Sequence, residues 1–289
     1  MNSSILWFTD GTTFFVGLAL AVVGLTARLR YAKGVISLPL TIATLTGAIL
    51  VTISSTPLAL WMYIVWGVLL LAGLTLTGTN RRSRAVSMGR ASTVVAFVLI
   101  SAWAFAAELP YHLHPTIPVK PDQTVYVVGD SISAGMGGKE RTWPAALAEK
   151  AHLQVINLAR AGATVEDALK QSKAVSDKNS VVIVEIGGND LLGGTDSATF
   201  ASGLDKLLVE LGGRCQQVVM FEIPLTPFCN AFGRAQRALA RQHAVILIPK
   251  RYMTRVFGGT NGTLDGLHLS QAGHACLAEE VQSMFDVNP

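Results

Sequence analysis

The chain has 289 residues, of which 50% are hydrophobic and only 15% are charged, a balance that excludes an ordinary soluble protein. The formal net charge is +4, but it is unevenly distributed. The first 107 residues carry 7 Lys and Arg against the single acidic residue Asp10, whereas the remainder carries 16 Lys and Arg against 18 Asp and Glu. Because the excess basic charge is confined to the apolar half, it gives no support to a nucleic-acid-binding role.

The first half of the chain predicts four membrane spans. Apolar runs without charge cover residues 11–27, 35–53, 58–77 and 91–107. The segment "SSTP" at 54–57 separates the second run from the third, because proline and small hydroxyl residues favour a tight turn. No Asp, Glu, Lys, Arg or His lies inside these runs, which argues against a transporter and favours an anchor or a surface that handles lipid.

Two short basic segments orient the predicted spans. "RLRYAKG" follows the first run, and "NRRSRAVSMGR" precedes the fourth. Short loops rich in Lys and Arg stay on the cytoplasmic side of a membrane. We therefore expect a multi-pass protein of the bacterial cytoplasmic (inner) membrane. Its N-terminus and everything after Glu108 would face the periplasm.

Residues 108–123 predict a linker between the membrane region, residues 1–107, and an outer domain, residues 124–289. Four prolines in this stretch favour an extended, semi-rigid spacer. His112 and His114 lie within it, but no third ligand is close in sequence, so a polar stalk is favoured over a metal site.

The outer domain alternates short apolar runs with amphipathic segments. We predict strands over 124–129, 153–159, 180–187, 216–224 and 244–249. We predict helices over 143–152, 164–175, 196–211, 230–243 and 270–285. This alternation is typical of an α/β domain with a doubly wound parallel sheet. In such sheets the site lies at the carboxyl ends of the strands.

Residues suited to acyl transfer follow these strands. Ser131 follows the first, Gly162 the second and Asn189 the third, while Asp265 and His268 lie between the fifth strand and the last helix. A serine nucleophile, a histidine base, an orienting carboxylate and oxyanion donors are the parts that this chemistry requires. Each signal alone is weak, since a serine after a strand is more often a helix cap. Their convergence on one edge predicts a catalytic site.

Rival readings find less support. His274 falls within the last helix and has no carboxylate at matching spacing, so it is not expected to be catalytic. "GMGGKE" lacks the spacing of a phosphate-binding loop or a dinucleotide fingerprint. Neither a metal-binding pattern nor a cofactor motif is found, so we predict no cofactor. The three cysteines Cys215, Cys229 and Cys276 match no zinc spacing, and no disulfide is predicted.

The outer domain resembles the SGNH/GDSL hydrolase superfamily. Its four blocks are matched by "GDSIS", by the glycine of "NLARAGAT", by "GGND" and by "DGLHLS". The resemblance implies that Ser131 attacks an ester carbonyl, that His268 acts as base and then acid, and that Asp265 orients His268. It further implies an oxyanion hole formed by the Ser131 N–H, the Gly162 N–H and the Asn189 amide.

The resemblance covers about residues 124–285 and is closest to small periplasmic thioesterase and lysophospholipase-like members. It implies a flavodoxin-like, three-layer parallel sheet, here preceded by four transmembrane helices. Ile132 stands where the family name implies leucine, an aliphatic exchange of little consequence.

These observations lead to one favoured hypothesis and two alternatives. The first is a membrane-anchored extracytoplasmic serine esterase that hydrolyses acyl esters of lipid or glycan. Its partners would be that substrate and membrane lipids, not nucleic acid, and no oligomeric state is predicted. The alternatives are an O-acyltransferase or deacetylase acting on a cell-surface polysaccharide, and a non-catalytic glycan-binding assembly factor.

Overall fold

The structure of the chain is a computed structural model that describes residues 7–31, 37–78, 84–137 and 140–287. The chain forms two compact units. One comprises Trp7–Tyr111 together with Thr226–Asn230. The other comprises His112–Leu225 and the residues from Ala231 onward.

The first unit is built from four apolar helices: α1 Thr12–Tyr31, α2 Ser37–Ile53, α3 Leu60–Gly78 and α4 Arg84–Glu108. Three of the apolar helices, including α1 and α3, are long and apolar enough to cross a membrane. Their presence agrees with a membrane region at the N-terminus. The apolar helix over Leu38–Ile53 is shorter, so a fourth span stays a prediction. The basic residues Lys33, Arg81 and Arg82, used for orientation, lie outside the described residues.

Helices α1 and α2 approach each other closely through glycine. A Cβ atom added at Gly47 would lie 2.5 Å from the Gly17 carbonyl oxygen and 2.6 Å from the Ala21 nitrogen. A Cβ atom added at Gly17 would lie 2.8 Å from the Gly47 carbonyl oxygen. Small residues let helix backbones touch in this way where lipid offers no hydrophobic drive for association.

Helix α1 extends one turn beyond the predicted span end at Ala27 and buries Arg28. The Arg28 Nε donates to Thr77 Oγ1 at 3.1 Å, and its Nη1 donates to Thr41 Oγ1. Threonine hydroxyls of α2 and α3 thus accept hydrogen bonds from the buried guanidinium, which offsets part of the cost of burying it.

The second unit contains a five-stranded parallel sheet of β2 Thr124–Gly129, β3 Gln154–Asn157, β4 Val181–Glu185, β5 Gln217–Phe221 and β6 Ile246–Ile248. The strand order is β3-β2-β4-β5-β6, which is the flavodoxin-like order. The strand order reverses beside β2, so the carboxyl ends of β2 and β4 form the switch point. Parallel register pairs Gly129 with Glu185 at that edge. The predicted α/β class and sheet are confirmed.

Both faces of the sheet are covered, because the strand residues are apolar on both sides. Val125 and Val127 pack into one cluster with Trp143 and the last helix, whereas Tyr126 and Val128 pack into the other. Burial on both faces is typical of parallel strands in three-layer folds. The helices of this unit are α5 Ser131–Ala134, α6 Trp143–Ala151, α7 Val165–Gln171, α8 Gly188–Leu192, α9 Ser197–Gly212, α10 Asn230–Gln242, α11 Lys250–Gly258 and α12 Gln271–Met284.

The proline-rich segment contributes a strand that the sequence analysis did not predict. β1 Ile117–Val119 pairs in parallel with β7 Phe285–Val287 at the other end of the domain. Ile117 and Val119 are buried in the core of this unit. His114 donates to or accepts from the Tyr252 hydroxyl at 2.7 Å, so it serves local packing.

Candidate active site

The candidate nucleophile lies at the switch point of the sheet. Ser131 begins the short helix α5 directly after β2, and its side chain is largely buried, at 9% exposure. Asp130 caps this helix, because its Oδ1 accepts the Ile132 N–H at 2.9 Å. Within the described residues the Ser131 hydroxyl makes no hydrogen bond, to His268 or to any other group.

Side-chain amides hold the backbone on either side of Ser131. Gln171 Oε1 accepts the Gly129 N–H at 3.0 Å, and its Nε2 donates to the Gly129 carbonyl oxygen at 3.0 Å. Asn157 Nδ2 donates to the Ser133 carbonyl oxygen at 2.8 Å. These contacts fix the turn that presents Ser131.

Gly162 lies in the loop between β3 and α7. Its φ of +76° is in the left-handed region, which favours glycine. No atom lies within 4 Å of the position that a Cβ would occupy, so the surroundings of this residue are open. A substrate group can therefore approach its N–H.

Asn189 joins three loops at the edge of the sheet. It lies in α8, after a turn in which Gly187 has a φ of +113°. Its Nδ2 donates to Asp130 Oδ2 at 3.1 Å and to the Ala163 carbonyl oxygen at 3.0 Å. The amide group is thus held beside both the Ser131 turn and the Gly162 loop. An oxyanion that accepts a hydrogen bond from this amide therefore shares the hydrogen with Asp130 Oδ2 or with the Ala163 carbonyl oxygen.

Asp265 and His268 form a hydrogen-bonded pair in the loop between α11 and α12. Asp265 Oδ2 lies 2.7 Å from His268 Nδ1. Asp265 Oδ1 accepts the backbone N–H groups of Leu267 and His268, at 3.0 and 2.8 Å. The bond to the imidazole, followed by these backbone bonds, holds the pKa of Asp265 well below its usual range. The carboxylate is therefore ionised and accepts the Nδ1 proton, which leaves Nε2 as the basic nitrogen.

His268 acts electrostatically on the residue that precedes the serine. Burial raises the pKa of Asp130, while the Ile132 N–H, Glu185 and the charge of His268 all act in the opposite direction. Of the five residues predicted for the site, Asn189 is bonded to the nucleophile turn and to the loop of Gly162, and Asp265 is bonded to His268.

Two further carboxyl groups in this region, those of Asp130 and Glu185, were not predicted from the sequence as parts of the site. Glu185, the last residue of β4, accepts the Ser133 hydroxyl at 3.0 Å, and Trp143 Nε1 donates to the same hydroxyl oxygen at 3.1 Å. Burial, followed by the charge of Asp130, raises the pKa of Glu185 well above its usual range. The signal in the sequence was a carboxylate closing an otherwise apolar, buried strand, "VVIVE".

A cavity of about 380 Å³ opens on the Gly162 side of this edge. Its lining is partly charged. Within the described residues Arg160 has no side-chain partner, whereas Lys170 is paired with Asp167 at 3.0 Å. The lining includes Arg160, Gly162, Ala163, Asp167, Lys170 and Gln171.

Other residues considered in the sequence lie elsewhere or outside the description. His274 is buried, and its Nδ1 accepts the Trp143 N–H at 3.2 Å, so it packs α12 against α6. The three cysteines are free. Gly138 and Lys139 of the "GMGGKE" stretch lie outside the described residues.

Comparisons with known proteins find a matching family and named relatives. The model of the GDSL-like lipase/acylhydrolase family matches residues 127–276. The chain is 30% identical over 174 residues to the esterase TesA of Pseudomonas aeruginosa, covering 55% of this chain and 86% of that protein. It is 27% identical over 173 residues to an arylesterase of Vibrio mimicus, with the same coverage of 55% and 86%.

The fold comparison leads to the same family. A crystal structure of TesA superposes with a TM-score of 0.52 at 30% identity, covering 56% of this chain and 97% of that one. The apolar helices lie outside the residues that the family model matches. With half of its length matched to the family model, the chain belongs to the GDSL-like lipase/acylhydrolase (SGNH) family of serine ester hydrolases.

Proposed function

We propose that this protein is a membrane-anchored, extracytoplasmic serine esterase that uses Ser131, His268 and Asp265 as a catalytic triad. The observations that carry the proposal are the bonded Asp265–His268 pair and the position of Ser131 at the start of the helix that follows β2. The Ser131 N–H, the Gly162 N–H and the Asn189 amide are the proposed oxyanion donors.

In this mechanism His268 Nε2 takes the Ser131 hydroxyl proton as the oxygen attacks the ester carbonyl. Asp265 stabilises the imidazolium that forms and keeps its ring oriented. The carbonyl oxygen becomes negatively charged and is stabilised by the three donors. His268 then gives its proton to the departing alcohol, which leaves an acyl group on Ser131. Water, deprotonated by His268, releases the acid and restores the enzyme.

The substrate class is a carboxylic ester of a lipid or a glycan. Relatives named esterase and arylesterase support ester cleavage. The cavity beside Gly162, with the guanidinium of Arg160 at its wall, supports a polar or anionic group on the substrate. Lipid headgroups and modified glycans both offer such groups.

The long apolar helices support membrane anchoring. The basic segments after the first and before the fourth predicted span support an outward-facing hydrolase unit. A reporter that is active only outside the cytoplasm, fused after the last residue, tests this orientation. A silent reporter, with a cytoplasmic reporter active at the same position, would contradict it.

The catalytic proposal is tested with purified full-length protein in detergent and a p-nitrophenyl ester of a short acid. We expect Ser131→Ala to abolish release of nitrophenol while the circular dichroism spectrum is unchanged. Ser176→Ala, which removes an exposed hydroxyl, serves as the matched control and should retain parental activity. Parental activity in Ser131→Ala would refute the triad.

A further inference from the structure

Asp130 and Glu185 form a buried pair of carboxyl groups beneath the candidate oxyanion hole. Their exposed fractions are 3% and 4%, and the parallel register sets Gly129, the neighbour of Asp130, opposite Glu185. Each carboxyl group acts on the pKa of the other. Gly129 makes the approach possible, since a Cβ there would lie 3.1 Å from Glu185 Oε2. Within the described residues neither carboxyl forms an ion pair with Lys or Arg. Two carboxylates in contact in a buried place cannot both ionise, so the pair retains a proton.

The hydrogen bonds indicate which of the two carboxyl groups keeps the proton. Asp130 accepts on both oxygens, from the Ile132 N–H at 2.9 Å and from Asn189 Nδ2 at 3.1 Å. Such bonds favour the ionised form. Burial, followed by the charge of Asp130, raises the pKa of Glu185 well above its usual range. The proton therefore resides on Glu185, which donates it to Asp130.

We propose that Glu185 is a positioning residue that stays protonated, donates to Asp130, and through Asp130 sets the Asn189 amide for the oxyanion. The inference rests on the proposed function, because it takes Asn189 as an oxyanion donor. The pair places one negative charge near the site instead of two. A second charge would repel the oxyanion and would bind the Asn189 hydrogen more tightly, and both effects slow the reaction.

The groups around the pair define its pH dependence. Three titratable side chains act on the pKa of Asp130. Glu185 and His268 lower it, whereas Asp190 of α8 raises it. The titratable side chain that acts on the pKa of Glu185 is that of Asp130, and its charge raises this pKa. The Ser133 hydroxyl contributes a neutral hydrogen bond, which lowers it. Loss of the Glu185 proton as pH rises therefore converts the pair to a dianion.

The kinetic test compares the parent with Glu185→Gln and Glu185→Ala. Full-length protein in detergent is assayed on a p-nitrophenyl ester of a short acid across pH, with spontaneous hydrolysis subtracted. Glutamine keeps a donor to Asp130, so kcat should stay within about threefold of the parent where Glu185 is protonated, without the fall in kcat that loss of the Glu185 proton causes in the parent as pH rises. Glu185→Ala should lose about tenfold or more in kcat with little change in KM.

Two measurements do not depend on enzymatic activity, so they test the role of Glu185 independently of the proposed function. At neutral pH the infrared carbonyl band of a protonated carboxyl should be present in the parent and lost in Glu185→Gln. The raised pKa also makes a stability prediction: the free energy of unfolding falls as pH rises from the ordinary pKa of 4.5 towards the folded value. This fall should be absent from Glu185→Gln.

The outcomes separate the two ideas. If Ser131→Ala retains parental activity, the proposed function fails, while the infrared band still reports the proton. If Glu185→Gln leaves both the band and the fall in kcat with rising pH unchanged, the role of Glu185 is wrong. Parental kcat in Glu185→Ala would also overturn it.

Discussion

The side-chain amide of Asn189 donates to the carboxylate of Asp130 at 3.1 Å, although the two residues are 59 positions apart in the chain. This bond connects the loop after β4 to the turn after β2, the two sides of the switch point. The proposed oxyanion donor is therefore held by the residue that precedes the proposed nucleophile. The proposed reaction at this edge of the sheet therefore depends on hydrogen bonds between loops as well as on the reacting groups.

Replacing Asn189 by alanine should lower kcat by about 10²–10³-fold with a smaller change in KM, because an oxyanion donor acts mainly in the transition state. Steady-state kinetics on a short p-nitrophenyl ester measure this. Asn179→Ala, an exposed asparagine in the same unit, is the matched control and should keep the parental rate. A rise in KM of similar size, with unchanged kcat, would show that Asn189 binds substrate but does not stabilise the oxyanion.

Asp265→Asn should lower kcat by about 10⁴-fold, because the imidazole of His268 would lose its orienting anion and adopt the wrong tautomer. The chain offers a close control in the pair Asp205 and His243, whose side chains also lie 2.7 Å apart. Asp205→Asn should keep parental activity in the same assay. Equal losses in the two variants would point to a general structural effect.

The same carboxylate makes a prediction about pH. Because the pKa of Asp265 is lowered in the folded protein, its contribution to stability is present above the unfolded value of 3.8 and is lost as pH falls below it. Urea denaturation between neutral and acidic pH measures this difference. Asp265→Asn should remove it, so a parental pH profile in that variant would contradict the assignment.

Two glycines in the left-handed region should differ in their tolerance of alanine. Each substitution costs about 1–2 kcal/mol for backbone strain. At Gly187 a Cβ would also lie 2.4 Å from Ile223 Cδ1 and 2.9 Å from Phe200, whereas Gly162 has open surroundings. We therefore expect Gly187→Ala to lower the unfolding free energy more than Gly162→Ala. Thermal denaturation measures the loss of stability in each variant. Equal shifts in melting temperature would exclude the steric contribution at Gly187.

The crossing of α1 and α2 should be sensitive to the size of residue 47. Gly47→Val places side-chain atoms where the Gly17 carbonyl and the Ala21 backbone lie, so the melting temperature in detergent should fall. Gly67 in α3 has no atom within 4 Å of its Cβ position. Gly67→Val is therefore the matched control and should be tolerated. Equal loss in both variants would mean that helix propensity, not packing, sets the effect.

Local sequence patterns predicted most of the fold. The strand over 124–129 ends where the structure ends it, because the β-branched run is followed at once by Gly-Asp-Ser. The helix predicted over 196–211 is observed at Ser197–Gly212, since Asp196 caps its first turn. Helix α11 was assigned no structure, although Tyr252, Met253, Val256 and Phe257 share its buried face. The β1–β7 pair was also missed, because it joins residues from opposite ends of the domain.

The sequence by itself determined the α/β class, the apolar helical region and the five candidate residues, because periodicity and the residues after each strand are local properties of the chain. Only the tertiary structure decided which side chains share a proton or a hydrogen bond. In the sequence Glu185 is only the polar end of an apolar strand. In the structure the parallel register places it beside Gly129, where it interacts with Asp130. Contacts of this kind depend on strand order and register, which bring distant residues together and which no single segment encodes.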